Sequence, residues 1–247
     1  MSLRDDALEM HRENQGKLEI TPNVKVTNKQ QLSLAYSPGV AEPCKEIHED
    51  SRKVYEYTIK GNTVAVVTDG TAVLGLGNIG AEASIPVMEG KAALFKSFAG
   101  INGVPIALDT TDTQEIIKTV KLIAPNYGGI NLEDISAPRC FEIEETLKKE
   151  TNIPIFHDDQ HGTAIVTMAG LINALKIVDK ELTNIKVVLN GSGAAGIAIV
   201  KLLHAYGVNN MIMCDSKGAI YSGRNFGMND TKTYVAKWTN KDKVEIG

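Results

Sequence analysis

Cysteine, aromatic residues and long apolar runs are scarce in this 247-residue chain, and each scarcity closes off a class of protein. Three cysteines (Cys44, Cys140 and Cys214), odd in number and far apart, make neither a disulfide framework nor a zinc site. No apolar run approaches the ~18 residues needed to span a bilayer; the stretch from Gly162 to Leu175 is too short and carries Thr and Asn. The amino terminus, MSLRDDALEMHREN, has no apolar core and does not read as a secretory signal. Positive charge is not in excess either. Lys and Arg number 26 against 30 Asp and Glu, a formal charge of −4, and no basic run is interleaved with aromatics, which speaks against nucleic acid. What is left is a soluble chain of a reducing compartment, expected in the cytoplasm, with neither nucleic acid nor membrane as a partner. Its 43 % apolar and 23 % charged residues are ordinary for a globular protein, and its length suits one large or two small domains.

Residues 1 to about 60 read as short polar helices punctuated by Pro22, Pro38, Gly39 and Pro43. From there strand-like apolar runs alternate with helical stretches. The runs are TVAVVT (63–68), VPIAL (104–108), GGINL (128–132), IPIF (153–156), KVVLN (186–190) and MIMCD (211–215). This alternation predicts an α/β protein with a mainly parallel sheet. A change of chemistry near residue 160 divides the chain into 1–160 and 161–247.

The second part opens on a phosphate-loop pattern. Gly191, Gly193 and Gly196 form G-x-G-x-x-G directly after a strand (186–189) and directly before a helix (195–206). The first glycine makes the tight turn and the second admits a pyrophosphate to the backbone. The third lets helix and strand pack closely, with the helix N-terminus facing the anion. Asp215, 19 residues beyond Gly196 at the end of the next strand, is placed to bind a ribose hydroxyl. The expected dinucleotide-binding residues are therefore Gly191, Ser192, Gly193, Ala194, Ala195, Gly196 and Asp215, with Ser216 and Lys217 following. Asp215 favours NAD, because a carboxylate repels a 2′-phosphate, while Ser216 and Lys217 keep NADP open. A second triplet, Gly75, Gly77 and Gly80, lies six residues past its strand, and position 100 is Gly rather than an acid. It reads as tight backbone around a small ligand, not a second nucleotide fingerprint.

Three strands run into acids: Asp109, then Glu133 and Asp134, then Asp158 and Asp159. Beyond the carboxyl ends of parallel strands such acids converge, and like charges need a cation among them. Glu133, Asp134 and Asp159 form the expected ligand set for Mg²⁺ or Mn²⁺, which suit all-oxygen sites. The competing reading makes each acid a solvated loop residue or a helix cap, and Asp159 is well placed to cap the helix at 162–178. His157 and His161 invite zinc, but the motif begins in a strand-end loop and lacks Glu after the first His. Lys91 lies in the apolar stretch VMEGKAALFK, where burial could free it of its proton, or where its stem simply snorkels. Spacing leaves both readings open, as it does for Tyr36 in LAYSPGV.

Together these stretches resemble the malic enzymes, and in particular the smaller bacterial type. The resemblance rests on SLAYSPGVAEPC (33–44), VTDGTAVLGLGNIG (67–80), PVMEGKAALFKSFAGI (86–101), GGINLEDISAP (128–138), IFHDDQHGTA (155–164), VVLNGSGAAG (187–196) and MCDSKGAIY (213–221). It implies oxidative decarboxylation of (S)-malate to pyruvate and CO₂, with NAD or NADP and Mg²⁺ or Mn²⁺. It implies an N-terminal catalytic and metal domain followed by a Rossmann domain, in a homodimer. By resemblance Tyr36 is the acid, Lys91 the base, Asp158 a supporting acid, and Glu133, Asp134 and Asp159 the metal ligands. Two features depart from the family. Ala72 stands where larger members carry an arginine for a malate carboxylate, so backbone around Gly75–Gly80 is the expected substitute. Only 62 residues follow Ile185, room for two strands of a roughly six-strand nucleotide domain, so that domain is expected to be incomplete. A malolactic-type or other 2-hydroxy-acid reaction, and a catalytically silent nucleotide- or metal-binding fragment, stand as alternatives.

Overall fold

Capping and periodicity account for most of the helices. The computed structural model describes residues 2–73 and 75–245, so Leu74 of the first glycine-rich turn lies outside the described residues. Helix α1 (Leu3–Asn14) starts in a capping box between Ser2 and Asp5. Short helices α2 (Lys29–Ala35), α3 (Ala41–Glu49) and α4 (Val54–Tyr57) follow, as the proline-punctuated region predicts. Strand β1 (Thr63–Thr68) leads through the glycine turn to α5 (Ala81–Ala99), which ends on Gly100 in the left-handed region. Then come β2 (Asn102–Ala107), α6 (Thr113–Ile123), β3 (Gly129–Leu132), α7 (Arg139–Glu150), β4 (Ile155–His157) and α8 (Thr163–Ile177). The last part holds β5 (Lys186–Asn190), α9 (Ala194–Ala205), β6 (Asn210–Asp215), β7 (Gly218–Ala219) and α10 (Asp230–Val235).

The chain divides into two compact units, Met1–Asn131 with Leu147–Ile155, and Leu132–Thr146 with Phe156–Gly247. A four-stranded sheet runs in the order β2-β1-β3-β4. Its β1–β2 pair is parallel, from Thr63↔Asn102 to Thr68↔Ala107. In the first unit Ala65, Val66 and Val67 of β1 bury with Met88 and Ala92 of α5 and Ile116, Ile117 and Val120 of α6. Buried Lys60 spends its ammonium on the carbonyls of Ala124 (3.1 Å) and Pro125 (2.9 Å), satisfying acceptors left over where α6 ends.

In the second unit β5 and β6 pair in parallel, and β7 adds antiparallel to β6, a reversal the alternation did not predict. Ile197, Val200 and Leu203 of α9 pack with Met168, Met211, Met213, Ile220 and Val235. No helix among the described residues is long and apolar enough to cross a membrane.

Candidate active site

The acids that end β3 and β4 meet because these strands are neighbours. Glu133 and Asp134 follow β3 immediately, and Asp158 and Asp159 follow β4. One carboxylate oxygen from each of Glu133, Asp134 and Asp159 lies within 4.8 Å of the others. Glu133 and Asp134 are buried, at 5 % and 3 % exposure. Asp134 holds a left-handed backbone (φ 54°), which Asp tolerates better than most residues. There its amide donates to Asp159 Oδ2 at 2.9 Å, fastening one acid to another. The capping alternative for Asp159 is not realised: α8 begins after Gly162 with no side-chain cap. The intervening residues 158–162 form a π turn, and a β-carbon at Gly162 would meet Asp158 Oδ1 at 2.4 Å. Asp109, in contrast, is exposed and outside the cluster.

The surroundings are strongly acidic. Burial and the charges of Asp159 and Glu144 push the Cys140 thiol up to about 12. His161 Nε2 lies 2.8 Å from Oε1 of buried Glu144, tying the turn to α7. His157 is fully buried, and burial pushes its pKa below the usual imidazole value against the pull of Asp159 and Glu144. Neither histidine belongs to the three-acid cluster. An all-oxygen donor set with two buried carboxylates fits a hard divalent cation, which removes the repulsion among the acids.

In the first unit Lys91 sits on α5, half-buried, one and two turns after Met88 and Ser84 on the helix's buried stripe. Tyr36 ends α2 and is 70 % exposed. Gly75, Gly77 and Gly80 all take positive φ, and Gly80 precedes α5.

The second glycine pattern folds as its spacing predicts. Gly191 (φ 119°) turns out of β5 and its amide donates to Cys214 O at 3.0 Å, setting the loop beside the end of β6. A β-carbon on Gly193 would have open space around it, the clearance a pyrophosphate needs. On Gly196 it would meet Gly191 O at 1.9 Å. Gly196→Ala is therefore expected to weaken nucleotide binding at least tenfold and to cost about 1–3 kcal/mol of stability. Calorimetric titration with ADP-ribose, beside a thermal melt, checks both.

Asp215 ends β6 as expected, but its carboxylate is already crowded. Oδ1 accepts from Lys217 N (2.8 Å) and Arg224 Nη1 (3.1 Å). Oδ2 accepts from Arg224 Nη2 (2.5 Å) and Lys232 Nζ (2.7 Å). Burial alone would raise this carboxyl, yet the bonds from Arg224 and Lys232 hold it well below the usual carboxylate range. The Arg224 side chain has no exposure and also donates to the carbonyls of Phe226, Gly218, Ala219 and Gly227. Neither Arg224 nor Lys232 was legible as a partner of Asp215. No motif links residues 9 and 17 positions apart across an irregular loop.

The malic enzyme N-terminal domain family matches residues 15–148, and the malic enzyme NAD-binding domain family matches residues 160–244. A bifunctional malic/malolactic enzyme of Bacillus subtilis is 70 % identical over 99 % of this chain and 60 % of its own length. An NAD-dependent malic enzyme of Geobacillus stearothermophilus is 60 % identical over 93 % of this chain and 48 % of its own. The crystal structure of NAD-dependent malic enzyme from Thermotoga maritima superposes with a TM-score of 0.94 at 48 % identity, covering 98 % of this chain and 64 % of that one. The chain thus spans about half to two-thirds of the length of these relatives.

Proposed function

Because this chain belongs to the malic enzyme family, we propose that it carries the machinery for oxidative decarboxylation of (S)-malate to pyruvate and CO₂. The observation that carries this reading is the buried carboxylate cluster of Glu133, Asp134 and Asp159 at the ends of two neighbouring strands. In this reading residues 1–160 form the catalytic and metal domain and 161–247 the nucleotide domain; the two family matches cover residues 15–148 and 160–244.

Glu133, Asp134 and Asp159 would hold Mg²⁺ or Mn²⁺, with Asp158 beside them as a supporting acid. Gly191 to Gly196 would cradle the dinucleotide's pyrophosphate through backbone amides. A bound cation would supply Lewis-acid stabilisation of charge developing on the substrate oxygens, and a bound nicotinamide would supply the hydride acceptor for C2. Lys91 takes the proton of the C2 hydroxyl as the hydride departs. The C3–C4 bond then breaks to release CO₂, and Tyr36 delivers a proton to C3. Backbone around Gly75–Gly80 replaces the arginine that Ala72 displaces. At the ribose, Asp215 would select NAD if it stood alone. Arg224 and Lys232 offset its charge, and with Ser216 and Lys217 they make room for NADP as well.

Mixing the chain with malate, Mn²⁺ and each cofactor in turn tests this reading. The expected result is an absorbance rise near ~340 nm, the reduced nicotinamide band that reports hydride transfer, together with pyruvate. Lactate without net reduction would favour the malolactic reading, which the Bacillus subtilis relative supports. Loss of turnover with nucleotide binding retained would leave a silent binding fragment.

We further propose a homodimer. Ile20 is fully exposed, and Leu3, Leu34 and Val24 are 87 %, 70 % and 62 % exposed, apolar side chains that a second copy of the chain would cover. Light scattering should return twice the 26.7 kDa chain mass; a monomer mass would refute it. The three free thiols, two of them buried, fit a cytoplasmic setting.

A further inference from the structure

His157 is the largest polar side chain at the acid cluster with no route to solvent: its exposure is 0 %. Neither ring nitrogen reaches a hydrogen-bond partner within bonding geometry. A buried imidazole left in that state is destabilising, so the position calls for something the ring does. Its Nδ1 faces Asp159 Oδ2 at 3.8 Å. That is longer than a hydrogen bond by somewhat under ~1 Å, a gap that a small rotation of the carboxylate closes. The ring also faces the backbone of Ile135.

Asp159 Oδ2 is already held from the other strand end by the amide of Asp134 at 2.9 Å. A second donor on that same oxygen would fix the plane of the carboxylate. Ligating groups generally need such outer partners, because an ion draws its ligands inward and a ligand free to swing binds it less tightly.

We propose that His157 is a positioning residue for the cation: it donates Nδ1–H to Asp159 Oδ2 and so holds that carboxylate in its ligating orientation. The proposal rests on the metal-site reading of Glu133, Asp134 and Asp159. His157 stays outside the cluster itself and touches neither cation nor substrate.

Three substitutions separate this role from simple filling of space. Asparagine places its amide Nδ2 close to where Nδ1 sits, glutamine extends its amide toward the Nε2 position, and leucine keeps bulk without a donor. Mn²⁺ affinity is read from the electron-spin signal of the free ion, and folding from thermal melts in EDTA. The expected result is near-wild-type Mn²⁺ affinity for His157→Asn. His157→Leu and His157→Gln should bind about 10–100-fold more weakly, the usual cost of losing an outer partner. Asp134→Asn serves as the control that abolishes binding at this cluster. If the wild-type chain binds no Mn²⁺, the metal reading falls and this inference with it. If the wild type binds and the Asp134→Asn control does not, equal affinity in all three His157 variants overturns the inference alone. So does rescue by glutamine but not asparagine. Should the leucine variant fail to fold, the asparagine–glutamine comparison still decides.

Discussion

Lys91→Ala is expected to lower kcat for malate oxidation by about 10²–10⁴-fold, the range set by removing a positioned general base. The reason lies in the register of α5. Ala81, Ser84, Met88 and Ala92 form its buried stripe, and Lys91 falls on the same side, one turn from Met88 and two from Ser84. That register leaves Lys91 half-buried. Tyr36→Phe should share the defect differently. Tyr36 is exposed and ends a two-turn helix, so deleting its hydroxyl removes a proton donor without disturbing any core. The two variants are best compared by rapid-mixing kinetics in a form of the protein that turns malate over. Loss of hydride transfer in Lys91→Ala, against hydride transfer without completed pyruvate release in Tyr36→Phe, is the expected split. Near-wild-type rates in either would sink its assignment.

Asp215→Ala should destabilise the second unit by about 3–5 kcal/mol at neutral pH. It strands Arg224, whose side chain is fully buried, without its counter-charge. The pH dependence follows from the direction of the shift. Because the Asp215 carboxyl is held below the ordinary carboxylate range in the folded state, its ionisation stabilises the fold at every pH above the unfolded value, about 3.9. That contribution shrinks only as pH falls below that value and is lost on passing through the folded one. The gap between wild type and variant should therefore stay constant from pH 7 to 5 and narrow only in stronger acid. Urea melts can follow it through the single tryptophan, Trp238, which lies in the same unit. A gap that closed near pH 5 would mean that Arg224 and Lys232 do not hold Asp215 as described.

All three variants target residues that sequence reasoning named, yet only part of their setting was legible there. Strand β1 was readable to the residue, because TVAVVT is a β-branched apolar run and that alone selects a strand. Its partner was read two residues late, at 104 instead of 102. The start of β2 is dictated by pairing Thr63 with Asn102, a contact 39 residues away that no local pattern records. The glycine turn after β5 was legible as a strand-turn-helix, where Gly191 takes a positive φ and Gly196 has no room for a β-carbon. Convergence of Glu133, Asp134 and Asp159 was legible too, once strands in parallel were assumed to end on one side, but the same assumption wrongly drew in Asp109. The rest is tertiary. The crowding of Asp215 by Arg224 and Lys232 and the bond from Asp134 to Asp159 join residues from separate elements. Asp159 illustrates the contest well: local sequence favours a helix cap, but the amide of Asp134 takes the oxygen first.

The acid cluster draws Glu133 and Asp134 from β3 and Asp159 from β4, and these adjacent strands are only four and three residues long. Strands that short are weak at defining their own alignment, and sliding one past the other by a single residue would turn every side chain to the opposite face. A cation chelated by acids from both strands would therefore act as an alignment pin for the sheet edge. Its binding energy would be spent partly on choosing one pairing over its slipped neighbours, so that metal occupancy and strand order rise and fall together.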